Sequence, residues 1–178
     1  MKKKILAFGA SSSRQSINKQ LAGFAAKQID NAEVILLDLN DFEMPVFSVD
    51  KESDRGIPKV AYQFKEHIKD SDGIIISFAE HNGNVAAAYK NIYDWVSRIE
   101  SNFWYDKPMF LLATSPGGRG GKSVLKISSE GIRHRNKGTI VEFSLPSFNQ
   151  NFDSEKGILD AELKNVFESQ LELFVAAL

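Results

Sequence analysis

Residues 9–18, GASSSRQSIN, concentrate polar side chains directly after an apolar run and directly before a helical pattern. The stretch offers four serine hydroxyls, one arginine and one asparagine. Hydroxyls, backbone N–H groups and a helix N-terminus suit a phosphate monoester, and Arg14 adds a charge-assisted donor. Ser13 or Ser16 could instead simply cap the helix, but a cap needs one serine rather than four. The stretch therefore predicts a phosphate site. The absence of the dinucleotide pattern G-x-G-x-x-G favours a mononucleotide-type ligand.

A glycine-rich segment, SPGGRGGKS at residues 115–123, looks at first like a nucleotide-binding P-loop. The pattern G-x-x-x-x-G-K-[ST] requires its first glycine where Pro116 stands, and counting from Gly117 leaves the spacing one residue short. Asp38 ends an apolar run as a Walker B carboxylate would, although an aspartate just past a strand is common. We interpret Lys122 and Ser123 as the start of a helix, and the glycines as positions where the backbone approaches a ligand.

A second polar segment, AEHNGN at residues 79–84, follows the apolar run GIIISF and precedes the small residues VAAA. Small residues at the start of a helix let a flat ligand or another helix approach closely. Glu80 and His81 could form an acid–base pair, or His81 could be a plain surface residue, because neighbours in a loop need not converge. His67 and His134 fall in helical patterns, so three scattered histidines give no metal signature.

Five short apolar runs alternate with helical patterns and must position these polar segments. The runs KILAF, EVILLDL, GIIISF, PMFLLAT and TIVEFSL are apolar at mostly consecutive positions, as strands buried on both faces are. Helical spacing of apolar residues starts near Ile17, Ile57, Ala88 and Lys122. A fifth helical stripe consists of Leu159, Leu163, Val166, Phe167, Leu171, Phe174 and Leu178. The alternation predicts a doubly wound α/β fold with helices on both faces of a parallel sheet. Ligands are expected at the carboxyl ends of its strands.

The composition narrows the classes of protein that the chain can represent. Its 178 residues suffice for one domain, which we expect to span residues 1–178. The net charge of −1 gives no sign of nucleic-acid or membrane binding, and the absence of cysteine excludes disulfides, thiolate metal sites and cysteine nucleophiles. The basic N-terminus is followed by too short an apolar stretch for a signal peptide. We therefore expect a cytoplasmic protein.

Together the three polar segments resemble the NADPH-dependent FMN reductase family, which includes chromate, quinone and azo-dye reductases. Its first loop, G-S-x-R-x-x-S-x-N, is matched by Ser11, Ser16 and Asn18, with Ala10 in the glycine slot and Ser13 in the arginine slot. Its second loop, P-E-Y-N followed by L-K-N-x-I-D-W, and its third, glycine-rich loop are matched at further positions. These are Glu80, Asn82, Lys90, Asn91, Asp94, Trp95, Thr114, Ser115, Gly117, Gly118, Gly120 and Gly121. Ala79 and His81 depart from the second-loop pattern, at positions that face the flavin in the family.

The resemblance implies a flavodoxin-like five-stranded parallel sheet in the order 2-1-3-4-5, with FMN and NADPH or NADH as cofactors. The FMN phosphate is expected at Ser11, Ser13, Arg14, Ser16 and Asn18. The ring is expected between Glu80, His81, Asn82 and Gly83 on one side and Ser115, Gly117 and Gly118 on the other. It also implies a small-molecule electron acceptor such as a quinone, free flavin, azo compound or metal oxyanion, and a homodimer or dimer of dimers.

Several alternatives stay open at this point. The protein could bind FMN as a non-catalytic electron carrier or redox-responsive module, or use the same loop for another phosphate ligand. The aromatic residues in NFWYD (102–106) could wall the pocket, form a subunit contact or pack under the fourth strand. The sequence indicates no catalytic acid or base, since the cofactor would carry the difficult chemistry.

Overall fold

Five parallel strands form the central sheet of the computed structural model, which describes residues 2–178. They are β1 (Lys3–Ala10), β2 (Ala32–Leu37), β3 (Gly73–Phe78), β4 (Met109–Thr114) and β5 (Ile140–Leu145). Their order across the sheet is β2-β1-β3-β4-β5, and each neighbouring pair is parallel. β3 and β4 are buried at every position, which is why their sequences are apolar without alternation. The predicted fold and strand order are confirmed.

Within the described residues, seven α-helices connect and cover the strands. They are α1 (Ile17–Lys27), α2 (Val49–Arg55), α3 (Lys59–Asp70), α4 (Ala87–Ile99), α5 (Lys122–Arg133), α6 (Phe148–Asn151) and α7 (Ala161–Ala176). Five of them confirm the predicted helices. α2 was not predicted because it buries no residue and so leaves no apolar periodicity in the sequence. α6 is a single turn of four residues, too short for a periodic signal.

The core consists of two apolar layers, one on each face of the sheet. Successive side chains of β1 alternate between them: Ile5 and Ala7 pack with α1 and α7, whereas Leu6 and Phe8 pack with α3, α4 and α5. Both layers exclude water almost completely along the central strands. This rigid sheet fixes the carboxyl ends of β1, β3 and β4 side by side.

The predicted C-terminal stripe was partly wrong. Phe167 and Phe174 are buried, but Leu159 and Val166 are 50% and 52% exposed. Leu159 precedes α7, and Val166 lies on a different face of that helix from the buried pair. The apolar pattern therefore combined residues of two faces into one stripe.

The aromatic residues after α4 belong to the core. Phe103 and Trp104 are each 1% exposed, and both rings contact Tyr93 of α4. Packing inside the fold is thus the correct interpretation of NFWYD for these two residues. Among residues 2–178, no helix is both long enough and apolar enough to cross a membrane.

Candidate functional site

In the first loop, the end of β1 lies unusually close to the first turn of α1. A Cβ added to Gly9 would lie 2.4 Å from the backbone nitrogen of Lys19, so only glycine lets the end of β1 lie against the first turn of α1. Ser16 is the N-cap of α1, since its Oγ accepts a hydrogen bond of 3.1 Å from the Lys19 N–H. The Ser11 Oγ accepts from the Ser13 N–H at 3.1 Å and shapes the turn before the helix.

This loop presents a set of backbone donors at the start of α1. The N–H groups of Arg14, Gln15, Ile17 and Asn18 have no hydrogen-bond acceptor anywhere in residues 2–178. They lie in the loop and first turn, where the helix dipole also favours negative charge. A phosphate group is the ligand that such an arrangement binds best. The predicted phosphate loop therefore has a donor set that fits an FMN phosphate.

The Asn18 side chain forms hydrogen bonds inside the protein. It is 3% exposed. Its Oδ1 accepts from the Ser77 Oγ at 2.7 Å and from the Thr114 N–H at 3.1 Å, and its Nδ2 donates to the Thr114 carbonyl at 3.2 Å. These three bonds tie α1 to the ends of β3 and β4. The Asn18 side chain thus holds the three loops in place, and its backbone N–H has no hydrogen-bond acceptor within residues 2–178.

The second polar segment is a β-hairpin rather than an irregular loop. Glu80 and His81 pair with Val85 and Asn84 in antiparallel fashion. The turn residues Asn82 and Gly83 have φ angles of 53° and 75°. Two left-handed residues in a two-residue turn define type I′, and Asn-Gly is its strongest sequence signal. The Asn-Gly dipeptide, with two residues on each side that can pair, is the signal that could have revealed the hairpin from the sequence.

The glycines of the third loop fall into two groups with different roles. Gly120 and Gly121 have φ angles of 59° and 71°, and a Cβ on Gly120 would lie 2.5 Å from the Ser144 Oγ. These two are required by the backbone conformation. A Cβ on Gly117 or Gly118 would meet no protein atom within 4 Å. The fold itself therefore does not require glycine at 117 and 118, and the open space there suits close approach of a ligand.

The helix after this loop lacks a cap of its own. α5 begins at Lys122 after Gly121, which has no side chain, so Lys122 and Ser123 are the start of a helix as predicted. The Glu80 Oε2 of the hairpin accepts the Val124 N–H at 3.1 Å and supplies the missing cap. This contact joins the second and third loops. It was missed from the sequence because the two residues are 44 positions apart.

A cavity of about 200 Å³ opens where the three segments meet. Seven predicted site residues line it: Ser11, Ser13, Ser16, Asn18, Glu80, His81 and Ser115. Asn82, Gly83, Gly117 and Gly118 lie on the adjoining hairpin and loop but do not line this cavity. Ala79 and Thr114, which the resemblance named as motif positions, also line it, and the lining residues that were not predicted are Gln15, Ile17 and Pro116. Arg14 does not enter this cavity, since its side chain lines a separate cleft on the outer side of α1.

The motif residues of α4 have a structural role. The Asn91 Oδ1 accepts the Phe47 N–H at 2.8 Å, and the Trp95 Nε1–H donates to the Pro45 carbonyl at 2.7 Å. Lys90 and Asp94 form an ion pair of 2.7 Å one helical turn apart. The Asn91 and Trp95 bonds attach the segment after β2 to α4, whereas the ion pair lies within the helix. A second cavity, of about 300 Å³, lies between that segment, Ser12 of the first loop and the start of α4.

Comparison with known proteins agrees with this arrangement. Residues 3–136 match the family model described as NADPH-dependent FMN reductase, which covers all three loops. The chain belongs to the NADPH-dependent FMN reductase family. The resemblance inferred from the sequence is thereby confirmed.

Relatives of this FMN reductase family member include named quinone reductases. It is 33% identical over 127 residues to the NADPH:quinone oxidoreductase of Arabidopsis thaliana, covering 68% of this chain and 63% of the relative. It is 36% identical over 109 residues to a 2-hydroxy-1,4-benzoquinone reductase of Burkholderia sp, covering 60% and 57%. The matches thus span less than two thirds of the length of these two relatives.

Solved structures show the same fold. The flavoenzyme NAD(P)H:(acceptor) oxidoreductase FerB of Paracoccus denitrificans superposes with a TM-score of 0.77 at 22% identity, covering 98% of this chain and 96% of that one. An NADH:FMN oxidoreductase structure, in its apo form, gives a TM-score of 0.75 at 15% identity, covering 99% and 90%. At these identities the likeness supports the flavodoxin-like fold of this family member and carries no further detail.

Proposed function

We propose that this protein is an FMN-dependent NAD(P)H oxidoreductase that passes electrons to a small acceptor such as a quinone. The observation that carries the proposal is the meeting of a phosphate-type loop with two segments of accessible backbone at one edge of the sheet. Four N–H groups at the start of α1 have no acceptor within residues 2–178 and would be available to a phosphate. Gly117 and Gly118 leave open space for a flat ring beside them. Family membership points to the same cofactor.

The residues would divide the binding of FMN between them. The N–H groups at 14–18 and the hydroxyls of Ser11, Ser13 and Ser16 would hold the phosphate. The backbone at Asn82, Gly83 and Gly117 would bond the polar edge of the ring, and glycine keeps side chains out of its way. Bound FMN would supply the redox chemistry, taking hydride from NAD(P)H and delivering electrons to the acceptor.

The titratable groups beside the cavity are few, which favours cofactor chemistry over acid–base catalysis. Glu80 and His81 are the only acidic or histidine side chains among its lining residues. The Glu80 carboxylate already accepts the Val124 N–H. His81 is exposed at the hairpin and stands where it could contact a ring edge. The protein's contribution would therefore be to bind and orient the cofactor.

The assembly and the cellular location are part of the same proposal. We expect a homodimer or a dimer of dimers, in a cytoplasmic setting where NAD(P)H is available. The exposed apolar side chains of Val46 and Val49, at 73% and 70% exposure, lie on the segment between β2 and α3. They offer surface that a second subunit could cover.

The test compares FMN with riboflavin, which lacks the phosphate. Two charge-assisted bonds to the phosphate should make FMN bind about 100-fold more tightly. Gly117→Leu should weaken FMN binding at least tenfold, because its side chain would occupy the ring position. Gly131→Leu is the matched control, since a Cβ at Gly131 also meets no protein atom within 4 Å. Equal affinity for both flavins, or no effect of Gly117→Leu, would remove the basis of the proposed site.

A further inference from the structure

A small cavity lies between α4 and α5, next to the second strand of the hairpin, and is called the α4–α5 cavity below. It encloses about 150 Å³. A cavity of that volume holds one benzene-sized ring. Tyr89 and Tyr93 of α4 and Ser128 and Ile132 of α5 line it, and each pair is four positions apart and so shares one face of its helix. None of the residues that line the three-loop cavity borders this one.

Small residues of α5 leave this space open. Gly131 is exposed, and a Cβ added to it would meet no protein atom within 4 Å. The apolar lining comes from Val85 of the hairpin and from Ile127 and Ile132. Ile127 is 45% exposed, although its neighbours on the cavity are apolar. The cavity is therefore both apolar and open to a ligand from solvent.

Three hydroxyl groups on the cavity have no hydrogen-bond partner within residues 2–178. The Ser128 Oγ is buried without one, whereas the hydroxyls of Ser97 in α4 and Ser169 in α7 donate to carbonyls of their own helices at 2.8 and 2.9 Å. Tyr89 is 5% exposed and Tyr93 is half-buried, and neither hydroxyl bonds to another protein group. Because buried hydroxyls are normally paired, a ligand that brings a polar atom into the cavity would complete this set.

The charges around the cavity favour a neutral ligand. Burial raises the pKa of Tyr89 and that of Tyr93, so both hydroxyls are protonated donors at neutral pH. Lys90 is the one charged residue in the lining, and it is paired with Asp94 at 2.7 Å. A carboxylate or phosphate would therefore lose its hydration without gaining a free cation. One ring that carries a hydroxyl group matches both the apolar lining and the three unpaired hydroxyls.

We propose that the α4–α5 cavity binds a small neutral phenol. The ring would lie against Val85, Ile127 and Ile132, and its hydroxyl would bond to Ser128 and to the neighbouring tyrosine hydroxyls. A quinone that takes up two electrons and two protons becomes a quinol, which belongs to this chemical class. The site does not depend on the proposed function, because phenol binding is measured without turnover.

Titration of the FMN-loaded protein with phenol and with toluene, followed in amide NMR spectra, tests the site. Phenol should bind with a Kd on the order of 1 mM. Toluene has the ring but no hydroxyl, so it should bind about tenfold more weakly. The shifted amide signals should centre on residues 84–93 and 127–132. Equal affinity for the two rings, no saturable phenol binding, or shifts confined to the three-loop cavity would each overturn the proposal.

The hydrogen bond is tested at Ser128. Ser128→Ala should weaken phenol binding about fivefold to tenfold and leave toluene binding within twofold, because it removes a hydroxyl but no contact with the ring. Ser97→Ala is the matched control, since the Ser97 hydroxyl is already bonded within α4 and does not line the cavity. It should leave phenol affinity within twofold. Equal losses in the two variants would overturn the role of the Ser128 hydroxyl.

The location is tested by filling the cavity. Gly131→Leu should abolish saturable binding of both rings, and the helix should still form because leucine favours a helix more than glycine does. This variant should keep wild-type FMN affinity, whereas Gly117→Leu should keep phenol binding and lose FMN affinity. Phenol binding that survives Gly131→Leu would overturn the cavity assignment. A protein that binds no FMN, yet loses phenol binding in Gly131→Leu, would contradict the proposed function and support this site.

Discussion

The contact between Glu80 and the start of α5 gives the sharpest prediction about the site. Glu80→Ala removes the carboxylate that accepts the Val124 N–H at 3.1 Å, and α5 has no side-chain cap to replace it. Loss of a helix cap costs about 1 kcal/mol, and loss of a negative charge near a helix N-terminus costs about 0.3–1 kcal/mol. For a chain of 178 residues the combined loss of about 1.3–2 kcal/mol corresponds to a fall in Tm of about 3–8 °C.

The same change should weaken FMN binding. Glu80 connects the hairpin at 80–85 to the glycine loop, so without it the two ring-binding segments must be ordered by the ligand itself. An ordering cost of about 1 kcal/mol corresponds to about fivefold weaker affinity. Glu80→Gln keeps an acceptor oxygen and should show less than half of this free-energy loss.

Flavin fluorescence titration and thermal denaturation, each with and without FMN, measure both effects. Glu162→Ala is the control, because Glu162 also lies in the first turn of a helix, α7, but does not line the three-loop cavity. It should lower Tm slightly and leave FMN affinity within twofold. If Glu80→Ala lowers Tm but leaves FMN affinity unchanged, the proposed coupling between the two ring-binding segments is refuted.

Three further predictions concern the positioning of the site. Asn18→Ala leaves the Thr114 N–H and the Ser77 hydroxyl without their acceptor in the core. The free energy of unfolding measured in urea should therefore fall by about 2–4 kcal/mol. A fall below about 0.5 kcal/mol would contradict the positioning role of Asn18. Gly9→Ala should lower the free energy of unfolding by about 3 kcal/mol or prevent folding, because its Cβ would lie 2.4 Å from the backbone of α1. The control Gly131→Ala should raise the free energy of unfolding by up to about 1 kcal/mol. Similar stabilities for the two variants would argue against the close approach of β1 and α1. The hydrogen bond from Lys19 lowers the pKa of Asp38, so its stabilisation is present above the unfolded pKa and is lost as pH falls through the folded pKa. Asp38→Asn should therefore lower the free energy of unfolding by at most about 1 kcal/mol at neutral pH, and by progressively less below about pH 4. Acid-unfolding curves of the two proteins measure this difference. A difference that does not depend on pH would contradict the ion pair's contribution.

The sheet could be predicted from sequence because its signal is local. β3 and β4 are apolar at nearly every position, and burial on both faces is the physical cause. The strand order came from the resemblance, since the apolar runs alone do not say which strands are neighbours. The functions proposed for the loops rest on their position at the carboxyl ends of β1, β3 and β4.

The parts that were missed depend on contacts between distant residues or on turn geometry. The Glu80 cap joins residues 44 positions apart, and the Asn18 side chain bonds to residues 59 and 96 positions away. Neither contact leaves a local pattern. The hairpin did leave one, in the Asn-Gly dipeptide, but its flanking strands have only two residues each. Arg14 stands one residue beyond the family's arginine slot, and the structure correspondingly directs it to the outer cleft.

The most direct measurement of the central claim is the visible spectrum of the FMN-loaded protein under anaerobic conditions. Addition of one equivalent of NADPH should bleach the flavin absorption, and addition of a benzoquinone should restore it. A protein that binds no FMN, or one whose bound flavin keeps its oxidised spectrum in excess NADPH and NADH, would contradict the assignment as an NAD(P)H-dependent flavin oxidoreductase.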